Sequence, residues 1–457
     1  MLTYTLKKSP GVPLYEALYR CIRKDILSGV LKPGEKLPSK RALSQNLEVS
    51  KITVETAYNQ LLEEGYIRAK EKVGYFVELV ELREPDRQVR CSVDAEPEIP
   101  GSVGTEHFPF SVWSRLQREV MLDYGQRLLR PLPNRGVPEL RRAIADHLAA
   151  FRGMEVDPAN ILIGAGTDFL YNLLIQLLGR DKTYAVEDPG YEKIRRIYAS
   201  GGVRSISARM DRDGVRPEAL EGAQVLHISP SHHFPTGLVT PLHRRMELLT
   251  WAKSRGGWII EDDYDSEFRF DAHPKPAMQS LGAERVIYMN SFSKSLAPSI
   301  RISYMVLPDR LMDRFQRELG FYSCTVPSFE QYTLARFLSR GFFEKHINRM
   351  RKFYKNQRNT VISALKDWKY ADRTRIYEQD AGLHFILRVD TALSDRQLRE
   401  SLSSAGVPIR CLSDFYHEKD HQDLHCLVVN YSDFQQDTLE KALLALEHVL
   451  ENGPAAD

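Results

Sequence analysis

The apolar positions fall first into helical spacing. Leu14, Ala17, Leu18, Cys21, Ile22, Ile26 and Leu27 mark one face of a helix that Gly29 closes. After the turn Lys32-Pro33-Gly34-Glu35, residues 38–47 read as a second helix with Ser39 as its N-cap. Ser50 caps a third, whose core face is Val54, Ala57, Tyr58, Leu61 and Leu62 and whose end is Gly65. Residues 66–77 change to the pattern of a β-hairpin with a charged tip. Two helices joined by a tight turn, then a hairpin, predict a winged helix-turn-helix over residues 1–80. From 81 to about 105 no apolar period survives. Acidic residues and Pro85, Pro97 and Pro100 dominate there, which predicts an extended, flexible linker.

Beyond the linker the pattern alternates. Gly136-Val137-Pro138-Glu139-Leu140-Arg141 opens a helix, and then five apolar strands follow in order: Ile161-Leu162-Ile163, Tyr184-Ala185-Val186, Val225-Leu226-His227-Ile228, Trp258-Ile259-Ile260 and Val286-Ile287-Tyr288-Met289. The stretch 309–370 reads as long and helical. Residues 380–450 alternate short strands (Leu383 to Val389, Leu424 to Asn430) with helices. Strands alternating with helices predict an α/β domain over 106–457, with a mostly parallel sheet and a smaller C-terminal α+β part.

Each of the five strands runs into residues able to hold a ligand, and in α/β sheets the C-terminal ends of the strands carry the site. Lys294 follows the last of them, inside Ser291-Phe292-Ser293-Lys294 with Arg301 seven residues on. A pyridoxal 5'-phosphate (PLP) aldehyde needs an amine such as Lys294, and its phosphate needs hydroxyls and a forked cation such as Ser291, Ser293 and Arg301. Taken alone, Ser-x-Ser-Lys is a surface lysine among serines. The other segments change that reading. Asp262 ends a strand where a carboxylate could face a protonated ring nitrogen, and Tyr264 could reach the ring oxygen. Ala165, Gly166 and Thr167 form a glycine turn into a helix, suited to an anion. Tyr191 offers an aromatic face for the ring, and His232 or His233, with His233 as the choice, could bond its oxygen.

Composition changes this picture little. The 457 residues carry a net charge of +2, which is neutral on nucleic acid. Residues 1–80 hold 13 Lys and Arg against nine Asp and Glu, a local excess suited to a duplex backbone. Lys51, Ile52, Thr53 and Glu55 stand where a recognition helix reads base edges. Lys40, Arg41, Lys70 and Lys72 suit phosphates, with Ser39 and the wing's Gly74 among the DNA-facing positions. The five cysteines are scattered without a C-x-x-C pair, so reduced thiols and no cysteine metal site are expected. No run approaches the ~20 apolar residues of a membrane span. The first residues lack the apolar core of a signal peptide, so a cytoplasmic protein is expected.

Two resemblances follow from these motifs. The string P-S-K-R-x-L-x-x-x-L-x-V-S-x-x-T-V-x-x-A-Y-x-x-L-x-x-E-G-Y resembles the GntR winged helix. From about Phe108 on, the order glycine turn, P-G-Y, P-T-G, D-x-Y and S-x-S-K…R resembles the PLP-dependent aminotransferases of fold type I. The block Glu261 to Phe268 with Ser291 to Pro308 looks narrower still, like the MocR/GabR-type regulators that join the two. That resemblance implies a homodimeric transcription regulator on double-stranded DNA with repeated half-sites, sensing PLP or an amine or amino acid through PLP. It also implies an effector clamp, for which Lys193 and Arg410 are candidates. The chain departs from the aminotransferase pattern in two places. Leu424 to Tyr431 contains no arginine to clamp a substrate carboxylate, and Arg130 to Asn134 lacks the tyrosine that a partner subunit lends to the phosphate. Both departures weigh against the alternative, an active aminotransferase with an added DNA-binding module.

Overall fold

The computed structural model describes residue 4 and residues 13–71, 73–79, 107–270, 275–417, 424–432 and 436–452. The expected linker over 81–105 and Lys72 lie outside them. The chain divides into two compact units, Met1–Glu98 and Ile99–Asp457.

In the first unit α1 (Leu14–Leu27) and α2 (Lys40–Asn46) pack on α3 (Lys51–Glu63), followed by the hairpin β1 (Ile67–Lys70) and β2 (Gly74–Val77). Hydroxyl caps set the helix starts: the Ala42 amide donates to Ser39 Oγ and the Thr53 amide to Ser50 Oγ, each at 3.1 Å. Leu18, Ile22, Val54, Ala57, Tyr58 and Leu61 form the core, joined by Ile67 and Val77 from the hairpin. The hairpin is antiparallel, Ile67 opposite Val77 and Lys70 opposite Gly74. Tyr19, whose ring the helical pattern leaves unassigned, is also buried, and its hydroxyl donates to Glu64 at the end of α3.

The second unit begins with α4 (Phe110–Tyr124) and α5 (Pro138–Arg152). Strand β3 (Ile161–Gly164) then leads into α6 (Thr167–Leu178), β4 (Thr183–Asp188), α7 (Glu192–Ser200), β5 (Arg204–Asp211), β6 (Gly214–Val215) and β7 (Val225–Ile228). Next come α8 (Leu242–Arg255), β8 (Trp258–Asp262), α9 (Met278–Leu281), β9 (Val286–Ser291), the single turn α10 (Phe292–Ser295) and β10 (Ser303–Val306). The sheet order is β3-β10-β9-β8-β7-β4-β5-β6. Strands β5, β4, β7, β8 and β9 run parallel, so the turns after β4, β7, β8 and β9 emerge on one edge. Strand β10 is antiparallel to both its neighbours and places β3 beside it, with Ser303 opposite Gly164 and Ser291. That pairing brings the glycine turn after β3 to the Ser291 end of β9. Apolar clusters cover both faces, as a buried parallel sheet requires.

Helices α11 (Asp309–Glu318), α12 (Ser328–Ser339) and α13 (Phe342–Lys366) make up the long helical stretch, broken before Pro327 and at Gly341. The C-terminal part contains β11 (Thr374–Tyr377), β12 (His384–Val389), α14 (Asp395–Ser404), β13 (Arg410–Cys411), β14 (Cys426–Asn430) and α15 (Gln436–Asn452). Its four strands form an antiparallel sheet in the order β11-β12-β14-β13. No helix among the described residues is long and apolar enough to cross a membrane.

Candidate functional site

Asp262, the last residue of β8, is buried, with Tyr171 and His227 both facing one of its oxygens. Its Oδ2 accepts from the Tyr171 hydroxyl and lies 3.6 Å from His227 Nε2. His227 Nδ1 in turn meets the Tyr198 hydroxyl at 2.6 Å. The chain Tyr198–His227–Asp262–Tyr171 joins α7, β7, β8 and α6, and both phenols are held well above their usual titration range by burial first. The other oxygen, Oδ1, is buried without a partner. A buried carboxylate oxygen left unpaired is costly, and a protonated ring nitrogen would satisfy it. His227 was legible as a polar residue inside a buried strand, but its partners come from distant elements.

Tyr264 lies two residues on, and its hydroxyl is 3.3 Å from His232 Nδ1. His233 is placed differently. Its Nδ1 bonds Thr236 Oγ1 at 2.7 Å and its Nε2 faces Glu187 Oε2 at 3.6 Å. Burial lowers His233 to about 3 and pushes Glu187 well above the usual carboxylate range. Of the two histidines, the one against Tyr264 is therefore His232, whereas His233 was the expected choice. The reason is the local turn: Thr236 draws the His233 ring back onto its own segment.

Lys294 sits half-buried on α10, whose cap is Ser291. The Ser293 amide donates to Ser291 Oγ at 3.1 Å and the two hydroxyls are 2.9 Å apart. Arg301 adopts φ +51° and bonds Asp168 Oδ2 through Nη2 at 3.3 Å. Gly166, at φ +88° where an L side chain is strained, lies under its guanidinium; a Cβ there would stand 2.2 Å from Nη2 and push the guanidinium aside. Thr167 opens α6, and the Ala165 amide donates to Thr325 Oγ1 at 3.0 Å. Ala165, Ser299, Arg301, Thr325, Pro327 and Glu330 are among the walls of an open cleft of about 420 Å3. Backbone amides, hydroxyls and a guanidinium around a cleft suit a phosphate.

Tyr191 is half-exposed, its ring edge-on to Phe234 at 5.9 Å. Lys193 does not project freely as an effector clamp; its ammonium bonds both oxygens of Asp168, at 2.8 and 2.9 Å, beside Arg301. Arg410 stacks its guanidinium 4.0 Å over Phe415, whose ring meets Phe234 at 5.1 Å. In β14's approach, His425 occupies the place without arginine, its amide donating to Asp395 at 2.8 Å.

In the winged helix, Arg41, Lys51, Ile52 and Lys70 are exposed and Thr53 is half-buried; Ile52 is 74% exposed although apolar. Gly74 has φ +133°. Lys40 differs from its reading as a phosphate contact. It bonds Glu55 of α3 at 2.7 Å and lies over the Tyr75 ring of β2 at 5.4 Å, so it ties α2, α3 and the wing together.

Residues 14–77 match the bacterial regulatory proteins of the gntR family, and residues 102–446 match aminotransferase class I and II. An uncharacterized HTH-type transcriptional regulator of Bacillus subtilis (strain 168), YdeL, is 36% identical, covering 91% of this chain and 92% of its own. The probable rhizopine catabolism regulatory protein MocR of Rhizobium meliloti is 32% identical, covering 96% and 94%. The chain belongs to the MocR-type GntR regulators. The solved kynurenine aminotransferase of Pyrococcus horikoshii shares the fold of the second unit, with a TM-score of 0.67 and 24% identity over 77% of this chain and 89% of that one. So does LysN, the α-aminoadipate aminotransferase of Thermus thermophilus complexed with N-(5'-phosphopyridoxyl)-L-leucine, with a TM-score of 0.65 and 23% identity over 77% and 90%. This MocR-type protein is a DNA-binding transcription regulator with an aminotransferase-like domain, and its cofactor is PLP. The unpaired Asp262 Oδ1 and the Gly166–Arg301 cradle fit that cofactor.

Proposed function

We propose that PLP held at Lys294 is the sensor of this regulator. Asp262 faces the ring nitrogen, Tyr264 the ring oxygen and Tyr191 the ring's face. Ser291, Ser293, Arg301 and the turn Ala165-Gly166-Thr167 hold the phosphate. When bound, PLP supplies an aldehyde that combines with amines and a ring that withdraws electrons. The protein supplies the rest: Lys294 the amine, Asp262 a fixed negative charge at the nitrogen, and Arg301 a cation at the phosphate. The observation that carries this reading is Asp262, with one oxygen bonded by Tyr171 and the other buried and unpaired.

PLP itself, or an amine or amino acid that displaces Lys294 from it, changes the balance between two states of different DNA affinity. Arg410 on Phe415 stands where a carboxylate of such an effector could be met. The regulator acts in the cytoplasm as a homodimer, with Arg41, Lys51, Ile52, Thr53 and Lys70 on repeated half-sites. The residues 81–105 link the winged helix, 1–80, to the effector domain, 106–457. Coupling of this kind is reciprocal: whatever factor the effector applies to DNA affinity, DNA applies to effector affinity.

The test is selection of genomic fragments by the purified protein, followed by binding titrations with and without PLP and a panel of amines and amino acids. A ligand-dependent change in DNA affinity, lost in Lys294→Ala, is expected. Affinity indifferent to PLP and to every amine would refute the sensor role.

A further inference from the structure

The second half of the acidic block, Asp265 to Phe268, takes no part in holding the ring nitrogen or the phosphate, yet it is buried. Asp265 Oδ2 lies 2.7 Å from His232 Nδ1, and the Tyr264 hydroxyl lies 3.3 Å from the same nitrogen. Asp265 also lies near enough to the Tyr264 hydroxyl to act on it directly. A carboxylate only accepts, so the Nδ1–H of His232 donates to Asp265 Oδ2, and Nε2 takes no part in that pair. That Nε2 is buried without a partner. Burial first, then Asp265, hold the Tyr264 phenol well above its usual range. A neutral phenol has one proton to give, and Asp265 competes for it with a ring oxygen of the cofactor.

The small C-terminal part closes the other side of His232. Gly382, at φ +71°, lies against the imidazole, and a Cβ there would stand 1.8 Å from Cε1. The His384 ring follows at 4.5 Å. Gly382 is itself fixed, its amide donating to Phe268 O at 2.7 Å and its carbonyl accepting from the Tyr431 hydroxyl. The other ionisable groups nearby are Asp262 and Glu187 around Tyr264, and His233, His384 and Glu378 around His232, with Lys294 beside His384.

We propose that Asp265 and His232 are positioning residues that set where the Tyr264 proton points, with Gly382 fixing His232 in that role from the small C-terminal part. The inference rests on the reading of Tyr264 as the partner of the ring oxygen. Removing the carboxylate turns the phenol toward that oxygen and stabilises its anionic form.

The test uses the full-length, PLP-loaded protein and follows the visible band as a function of pH. In Asp265→Asn the midpoint is expected to move down by about one pH unit, the size of one charge-assisted hydrogen bond. The same substitution in a Tyr264→Phe background separates positioning from a mere loss of nearby charge. There the shift is expected to lose most of its size; an equal shift in both backgrounds overturns the proposal. His232→Asn gives the same comparison should Asp265→Asn fail to hold PLP. A wild-type protein with no band removes the site itself, whereas a wild-type band with an unmoved midpoint in Asp265→Asn removes the positioning role alone.

Discussion

The two ends of the cofactor site are built on opposite principles. At the nitrogen end, Asp262 is buried and bonded by Tyr171, with His227 3.6 Å away and Tyr198 behind it. At the phosphate end, Arg301 is half-exposed beside an open cleft, and it shares Asp168 with Lys193. The difference is chemical. A ring nitrogen keeps its proton only if the opposing charge is fixed and shielded from water, and low polarity makes that charge count. A phosphate keeps its charge anyway and needs only cations and donors that a solvent-facing cleft can present. In such a cleft Asp168 holds the two cations in place, and an incoming phosphate competes with it.

The largest effect should come from breaking the buried end. Asp262→Asn keeps the shape and removes the charge, and PLP affinity should fall about 100-fold, read by titrating the visible band. A change below about threefold would mean that the ring nitrogen is not at Asp262. Next is a pH effect with a definite sign. Burial keeps His233 neutral down to about 3, whereas in the unfolded chain it binds a proton near its ordinary ~6.5. Between those values the unfolded state holds more protons, so stability falls as pH falls. His233→Gln should spare about 2 kcal/mol of that loss between pH 7 and 5, measured by urea midpoints.

Gly166→Ala tests the open end where it is tightest. The added methyl collides with Arg301, and PLP affinity should drop about tenfold while thermal stability of the PLP-free protein changes less. The same contrast between fixed and screened charge extends to the winged helix. Arg41→Ala should weaken DNA binding a few-fold and reduce the salt slope by about one, checked by titrations over a salt series. The smallest effect belongs to Lys193→Ala. Its pair with Asp168 is half-exposed and screened, so PLP affinity should change by less than about fivefold. A loss as large as that of Asp262→Asn would make Lys193 a principal phosphate or effector ligand.

How far the sequence carried the account follows the same divide. Winged helix, five strands and the order of the ligand-bearing turns were legible, because apolar period and turn residues are local signals. The partners of Asp262 were not: Tyr171 lies 91 residues away and meets it only through the sheet. Strand β10 carries a local apolar run, Tyr304 to Leu307, and β5 a period-two alternation of Ile206, Ala208 and Met210 with polar neighbours; what neither pattern shows is the pairing, with β10 antiparallel to both its neighbours. Lys40, Lys193 and Arg410 read as free cations in sequence. Each instead rests against a partner, Glu55, Asp168 or Phe415, which no spacing rule predicts. His232 and His233 are adjacent, and only the positions of Thr236 and Tyr264 tell them apart.

The most direct test of the central claim is the visible absorbance of wild-type and Lys294→Ala protein, each loaded with PLP and passed through gel filtration. The wild type should keep a band in the visible, and the variant should lose it while remaining folded. A band that survives in Lys294→Ala, or a wild type that never acquires one, would contradict the site.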